Sequence, residues 1–555
     1  MARSVRVGSR EVPMAVAVPI AVGVLLRLVA AYTDNVVGPD EAAYLGTGRN
    51  IWRGLGITYQ NGPELHFPPL LPIILGGLAK LTPEPHHATV IVTFVSSCVL
   101  LGILGALAWR IGGRTAGILA LWIAALSPGI GVNLARGTGG SEAIYAALLC
   151  GAALVCVGRR GTWDEPPSLL RSLSVGLLIG AAYLLRPEGI LVSAFFGFIL
   201  GLRALGGRLN REAFTAARLR RFAAVAAACL VGVGVLAGPY VAFLHAKSGH
   251  WELTAKSVDV NIQAWRALAA QDRVTRDTYL YKLDPSGHST EHKTYPLTVL
   301  ARQNPRQYLD IVGENLRQLY KSLLSFNTTT MPGWRLFALP LFPFALWALW
   351  RHRTQATVVA VFGVLLVTLA IVIGFFVLNR YLPPVVAALA VLAAVGLAEL
   401  PERQRRIWVT IGIVASIMSI CTYFEGPHGP QIVRERADLQ IAARWLRQQH
   451  IPPSARVMTR STALPYYLPH NKLIVPPVGT LEQVWRYARY QNVTYFVYDP
   501  TTQLWRRDLL PLMDGRDHSR DGFATIHTFV SEGRTTWIFK VLTRQQTRYA
   551  ARPTP

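Results

Sequence analysis

The sequence predicts a polytopic α-helical membrane protein of about eleven spans, followed by a small C-terminal extracytoplasmic α/β domain. Three observations predict it. Charged residues make up 16% of the 555 residues and hydrophobic residues 51%, with a mean hydropathy of +0.31; soluble domains carry about 25% charged residues. The apolar residues fall in blocks of roughly 17 to 25, the length that a bilayer span requires. The 56 Lys and Arg exceed the 31 Asp and Glu by 25 charges, and the arginines stand between the apolar blocks. In a soluble chain that excess would point to nucleic acid; here it reads as membrane topology.

The apolar runs place spans near 13 to 33, 88 to 108, 115 to 133, 141 to 157, 173 to 186, 189 to 202, 222 to 245, 336 to 350, 356 to 378, 381 to 400 and 407 to 424. The first follows Arg3, Arg6 and Arg10 as a signal peptide would. It is long and lacks a small-residue cleavage site, so it reads as a retained span. With the N-terminus in the cytoplasm, the inside connections carry Arg110 and Arg114, then Arg159, Arg160 and Arg171, then Arg203 to Arg221, Arg351 and Arg353, and Arg403 to Arg406. The short outside connections carry only Arg49, Arg53, Arg136, Arg186 and Arg380, so the positive-inside rule orients the whole chain and places the last segment outside the cell (inner) membrane. Cys98, Cys150, Cys156, Cys229 and Cys421 all lie in apolar segments, which argues against a disulfide framework.

Three outside segments are too long or too polar for turns: 34 to 87, 246 to 335, and everything after 425. The expected organisation is a transmembrane catalytic module over 1–424, with outside loops 34–87 and 246–335, and an α/β domain over 425–555. In that domain Ala437, Ile441, Ala442, Trp445 and Leu446 have helical spacing, β-like runs cover 456 to 459 and 494 to 498, and a second helix falls near 480 to 491. The 246 to 335 loop holds its own amphipathic helix, from Asn304 through Lys321, whose apolar face packs on protein or lies on lipid. Trp251, Trp265 and Trp334 are candidates for stacking on sugar rings, although interfacial tryptophan is common.

The residues that could do chemistry gather at the outer ends of spans. Gly38-Pro39-Asp40-Glu41-Ala42-Ala43-Tyr44 follows the first span; Asp40 could cap the next helix or serve as an acid or base. His66-Phe67-Pro68-Pro69 then opens a short apolar segment suited to the interface. Arg136 to Glu142 precedes the fourth span, where Ser141 could cap and Glu142 complement the helix dipole. Arg186-Pro187-Glu188-Gly189 and Asn379-Arg380-Tyr381-Leu382-Pro383 mark two further outer ends, and each Arg could merely snorkel. Snorkelling does not account for the acids. A site handling a lipid-linked phosphate needs cations at headgroup level and a carboxylate to take the acceptor's proton.

These motifs, in this order and on one face, together with the C-terminal soluble domain, resemble the GT-C superfamily. They are similar in particular to bacterial relatives of protein O-mannosyltransferases and of the lipid A aminoarabinose transferase. The resemblance implies inverting transfer of a sugar from a polyprenyl-phosphate donor to a lipid, glycan or protein acceptor on the outer face. It implies Asp40 as the base with Glu41 as its partner. Donor phosphate falls to Arg380, Arg186 and His66, with Tyr44, Arg136, Glu142, Glu188 and Tyr381 in support. This chain has Ala43 where aminoarabinose transferases carry an Arg three residues after the Asp, and Phe67 in place of a Lys before the Pro; both departures speak against an aminoarabinose substrate. Asp40, Glu142 and His66 could also hold a divalent cation, Mg or Mn. The alternative class is a transporter or lipid flippase, which would place ionisable groups near the bilayer midplane. Here Arg27 is the one charge well inside a span, and the chain shows no internal repeat.

Overall fold

The computed structural model describes residues 4–7, 10–32, 37–60, 62–135, 140–158, 163, 165–206, 215–255, 262–270, 272–290, 297–323, 335–375, 377–425, 437–531 and 533–550. By internal packing the chain divides into two units. The first comprises Met1–Asn35, Leu65–Ala255 and Asn315–Pro430, and the second Val36–Glu64, Lys256–Glu314 and Gln431–Pro555.

The first unit is helical. Each apolar segment expected to span is helix: Met14–Tyr32, Pro85–Leu126, Glu142–Val157, Leu169–Tyr183, Gly189–Ala204, Ala216–Ser248, Arg335–Arg351, Ala356–Gly374, Pro383–Ala398 and Glu402–Glu425. Met14–Tyr32, Pro85–Leu126, Ala216–Ser248 and Ala356–Gly374 are long and apolar enough to cross a membrane by length and composition. The 42-residue Pro85–Leu126 stretch is two helices joined at Gly113, whose φ of 74° and ψ of −165° interrupt it, so two of the expected segments share it. Between Leu169–Tyr183 and Ala216–Ser248, Gly176 and Gly232 bring the backbones into contact. A methyl at Gly176 would collide with the Cys229 carbonyl, and one at Gly232 with that of Leu173, the small-residue packing typical of membrane helices.

Several boundaries shift by a few residues from expectation, and one shift has a plain cause. The segment expected to run to 133 ends as α-helix at Leu126, because Ser127 is extended before Pro128, as a residue preceding proline must be. A π-helical turn, Pro128–Val132, follows. The break leaves carbonyls to be paired, and the wholly buried Arg27 takes two of them: its guanidinium donates to Ala124 O and Ile130 O, and to Gly23 O in its own helix, each at 3.0 Å. At the other end of the unit, cations collect at the C-terminus of Glu142–Val157. Arg110 donates to Leu154 O at 2.6 Å, Arg203 to Cys156 O, and Arg171 pairs with Glu165 at 2.8 Å, complementing the negative end of the helix dipole.

The second unit is built on a five-stranded sheet in the order Lys472–Ile474, Arg456–Met458, Val493–Tyr498, Arg534–Val541, Phe523–Ser531. The first three strands run parallel and the last two form an antiparallel hairpin on their edge. Helix Ala437–Gln448 buries Leu439, Ala442, Ala443 and Leu446 among Val457, Val497 and Ile538. Helix Leu481–Tyr490 buries Val484 and Ala488 among Phe496, Tyr498 and Phe539, the opposite set of alternating strand residues. Its start is a capping box: Gln483 N–H donates to the Thr480 hydroxyl, and Thr480 N–H to the Gln483 side chain. Both helices and the strands at 456 and 493 match the sequence pattern.

Polar segments from earlier in the chain complete this unit. Helix Pro39–Trp52 lies against Leu464–Tyr467, with Arg49 reaching Pro469 O at 3.5 Å. Helix Arg273–Tyr281 docks where the parallel strands end. Asp277 is 3% exposed and accepts from Arg460 at 2.9 and 2.6 Å and from Arg506. The Tyr281 ring lies under both guanidiniums, at 5.1 and 5.4 Å, and Val478 N–H donates to Tyr281 O at 2.9 Å.

Candidate active site

Five of the expected site residues meet at one end of the helical unit. Helices Glu142–Val157, Gly189–Ala204 and Pro383–Ala398 begin there, and Leu169–Tyr183 and Ala356–Gly374 end there. The antiparallel alternation of the spans therefore carries Glu142, Arg186, Glu188, Arg380 and Tyr381 to the same end. They line a pocket of about 530 Å³, counting its space open to solvent, together with Tyr145, Thr368, Ile371, Val372, Phe375, Pro383 and Pro384.

Arg186 is the hub. It sits in the tight turn between two helices, where Pro187 prevents helix from continuing through. It is buried, with Nη1 3.4 Å from Glu142 Oε1 and Nε 3.9 Å from Glu188 Oε2. Its guanidinium lies 4.1 Å from the centre of the Tyr381 ring and 5.6 Å from that of Tyr145. The next cation, Arg380, is exposed; its Nη2 donates to the Tyr381 hydroxyl at 3.2 Å and its guanidinium lies 5.2 Å from the same ring. Tyr381 thus has a guanidinium from each of two chain segments on its ring, which favours both through the ring's negative face. Two carboxylates flank Arg186, and Arg380 stands at the exposed side of the pocket. Three helix N-termini beside the pocket add positive potential for an anion.

Ser141, expected as a possible cap, makes no side-chain cap bond, and Glu142 instead engages Arg186. His66 is exposed, with its ring edge-on to Phe67 at 4.6 Å, and does not line this pocket. Beyond it, Leu70–Leu78 is a nine-residue helix tied by Leu70 N–H to Leu184 O at 3.2 Å. Arg136 lies outside the described residues. In the second unit, Gly38 rather than Asp40 is the N-cap of Pro39–Trp52, with Pro39 in the first turn. Glu41 is buried and accepts from Gly38 N–H at 2.9 Å. Glu41 therefore holds the helix start, while Asp40 is half-buried one residue earlier. Tyr44 is buried one turn on. Trp265 is 1% exposed and packs 6.1 Å from Tyr308, which removes it as a sugar platform. Trp251 is exposed and stacks on His245 at 4.1 Å; Trp334 lies outside the described residues. Among the described residues no group of three His, Cys, Asp or Glu stands close enough to hold a metal ion.

No family model matches the sequence, and neither does any curated protein. Solved structures do match. The apo structure of ArnT from Cupriavidus metallidurans aligns over 97% of this chain and 99% of its own, at 14% identity and a TM-score of 0.59. The chain has the GT-C fold. The same ArnT bound to undecaprenyl phosphate aligns over 95% and 98%, at 15% identity and a TM-score of 0.56. The oligosaccharyltransferase AglB from Archaeoglobus fulgidus, in complex with an inhibitory peptide and a dolichol-phosphate, aligns over 94% of this chain and 73% of its own, at 13% identity and a TM-score of 0.54.

Within the GT-C fold the pocket's charged residues were visible in the sequence as ions at span ends. Tyr145, Thr368 and Phe375 were not, because each reads as an ordinary residue of an apolar helix. Only the spacing of Tyr145, three residues after Glu142 and so on the same helical face, was available to flag one of them.

Proposed function

We propose that the chain is an inverting glycosyltransferase that moves a sugar from a polyprenyl-phosphate donor to a lipid, glycan or protein acceptor at the outer face of the cell membrane. The observation that carries this reading is the Arg186–Tyr381–Arg380 stack in a pocket at one end of a helical unit of GT-C fold. ArnT binding undecaprenyl phosphate and AglB binding a dolichol-phosphate support a lipid-phosphate ligand. In this reading the chain crosses the membrane eleven times, with its N-terminus in the cytoplasm and residues 425–555 outside.

Arg380 holds the donor phosphate through charge-assisted hydrogen bonds. Arg186, already matched by Glu142 and Glu188, keeps Tyr381 and hence Arg380 in place and adds field rather than a free fork. Asp40 is the general base. An acceptor hydroxyl is too weak an acid to attack an anomeric carbon readily at neutral pH, so a carboxylate that takes its proton as the bond forms lowers the barrier. The lipid phosphate leaves from the opposite face of the sugar, inverting the anomeric centre. Glu41 supports Asp40 by holding the helix start on which it stands.

The test is transfer from a polyprenyl-phosphate sugar in liposomes, with donor binding measured in parallel. Asp40→Asn keeps the size of the side chain and abolishes the base, so it should bind donor normally and lose about 10² to 10⁴ in rate. Wild-type turnover by Asp40→Asn would overturn the assignment.

A further inference from the structure

We infer that helix Pro305–Leu323 is a membrane-surface element whose exposed apolar stripe, Leu309, Leu316 and Tyr320, is seated in the boundary between lipid headgroups and acyl chains. At 3.6 residues per turn these three side chains lie within about 40° of one another. They are 64, 48 and 59% exposed. The helix has a separate docked face, with Ile311, Asn315 and Gln318 all buried, so the stripe is not the face by which it packs on its own chain. Asn315 fixes its depth: the side-chain amide donates to Ile373 O at 2.9 Å and Phe375 O at 3.1 Å.

Those carbonyls end the helix Ala356–Gly374, whose 19 residues span about 28 Å, close to the ~30 Å of a bilayer's hydrocarbon core. A side chain bonded to its last turn therefore stands at the hydrocarbon edge. The neighbouring sector carries Arg306, Asp310, Glu314, Arg317 and Lys321, a polar flank that water solvates while the leucines enter lipid. Three faces, for protein, lipid and water, meet three environments that coexist only at this depth. Phe375, whose carbonyl Asn315 holds, is also in the pocket wall, so a helix resting on lipid braces that wall.

The experiment attaches a nitroxide to Leu309→Cys, Leu316→Cys and, on the polar flank, Arg317→Cys. Each full-length protein is reconstituted in vesicles of phosphatidylethanolamine and phosphatidylglycerol. Wild-type protein treated identically supplies the background from its native thiols, of which Cys98, Cys150, Cys156 and Cys229 are free. Power saturation should show oxygen, which partitions into lipid, relaxing the labels at 309 and 316 more than a water-soluble nickel chelate does, and the reverse at 317. Nickel dominating at 309 and 316 would place the stripe in water. Labels reached by neither reagent would place it under protein, a second copy or another partner. Either result overturns the inference, and neither depends on whether the protein transfers sugar.

Discussion

Replacing Asp277 by Ala should loosen the second unit far more than the loss of one surface charge would. Asp277 is 3% exposed and is the shared acceptor of Arg460, which is partly exposed, and Arg506, which is 1% exposed. Burial already draws the Arg506 guanidinium below its ordinary pKa, and Asp277 pulls it back toward the charged form. Removing the carboxylate leaves two cations facing each other over Tyr281, one of them without access to water. Breaking a buried pair from one side costs about 3 to 5 kcal/mol. At 1.36 kcal/mol per decade that is about 10² to 10⁴ in an opening equilibrium. The readout is native-state hydrogen exchange by mass spectrometry on the whole protein in detergent. Amides of 273–281, 456–458 and 493–498 should exchange faster by that factor, while those of Ala356–Gly374 should not change. The triple variant Asp277→Leu, Arg460→Met, Arg506→Met removes the charges together and should recover most of the protection. A single variant that accelerates exchange by less than about fivefold, roughly 1 kcal/mol, would refute the idea that this triad clamps the docked helix to the sheet.

Arg380→Ala should weaken binding of a polyprenyl phosphate by about 10- to 100-fold, the worth of a charge-assisted bond of about 1.5 to 3 kcal/mol. Arg380→Lys should recover only part of it, because the point charge lacks the planar fork; unchanged donor affinity in Arg380→Ala would exclude Arg380 as the phosphate ligand. His518 is held by Asp521 and Asp514, each at 2.9 Å. Burial opposes its protonation, but the two carboxylates outweigh that and raise its pKa. Its contribution is therefore complete below the unfolded value of about 6.5 and is lost as pH rises through the raised folded value. The melting difference between wild type and His518→Phe should accordingly shrink from pH 6 to pH 9, and a difference that grows would reverse the sign. Reporter fusions after Pro555 and in the 203–221 connection should report opposite sides of the membrane; the same side for both would break the proposed topology.

What could be read in advance follows from where the information lies along the chain. A span announces itself within some twenty residues, and an ion at its end is conspicuous against apolar neighbours, so Glu142, Arg186, Glu188 and Arg380 stand out in the sequence, and Tyr381 only as the neighbour of Arg380. The Asp277 triad has no such local mark. Its partners are 183 and 229 residues away, and an Asp in a polar loop looks like solvent-facing charge. The hairpin Phe523–Ser531 and Arg534–Val541 lies between. Its alternating Thr, Ile, Phe and Val around a Gly533 turn of φ 75° is a period-2 signal, weakened by the charges that interrupt it. Helix Arg273–Tyr281 likewise carries no local mark, because the partners of Asp277 and Tyr281 are supplied by the chain after 455.

Arg27 shows how the same residue separates the two functional classes once its partners are known. Inside a span, an arginine is by default a mark of a translocation path, and such a path requires the charge to face a cavity or to exchange partners as cargo moves. The Arg27 guanidinium is 0% exposed; it donates to Gly23 O one turn back in its own helix, and to Ala124 O and Ile130 O on either side of the break at Ser127 and Pro128. Carbonyls at a helix break cannot move without unfolding it, and a cation bound to them compensates the unsatisfied helix end. Arg27 therefore stabilises a kink that proline imposes. With that charge held by backbone, the ionisable side chains that gather around a pocket of the helical unit are Glu142, Arg186, Glu188 and Arg380, at one end of it. That is where a reaction on a lipid-linked phosphate needs them and where a carrier's midplane binding site would not be.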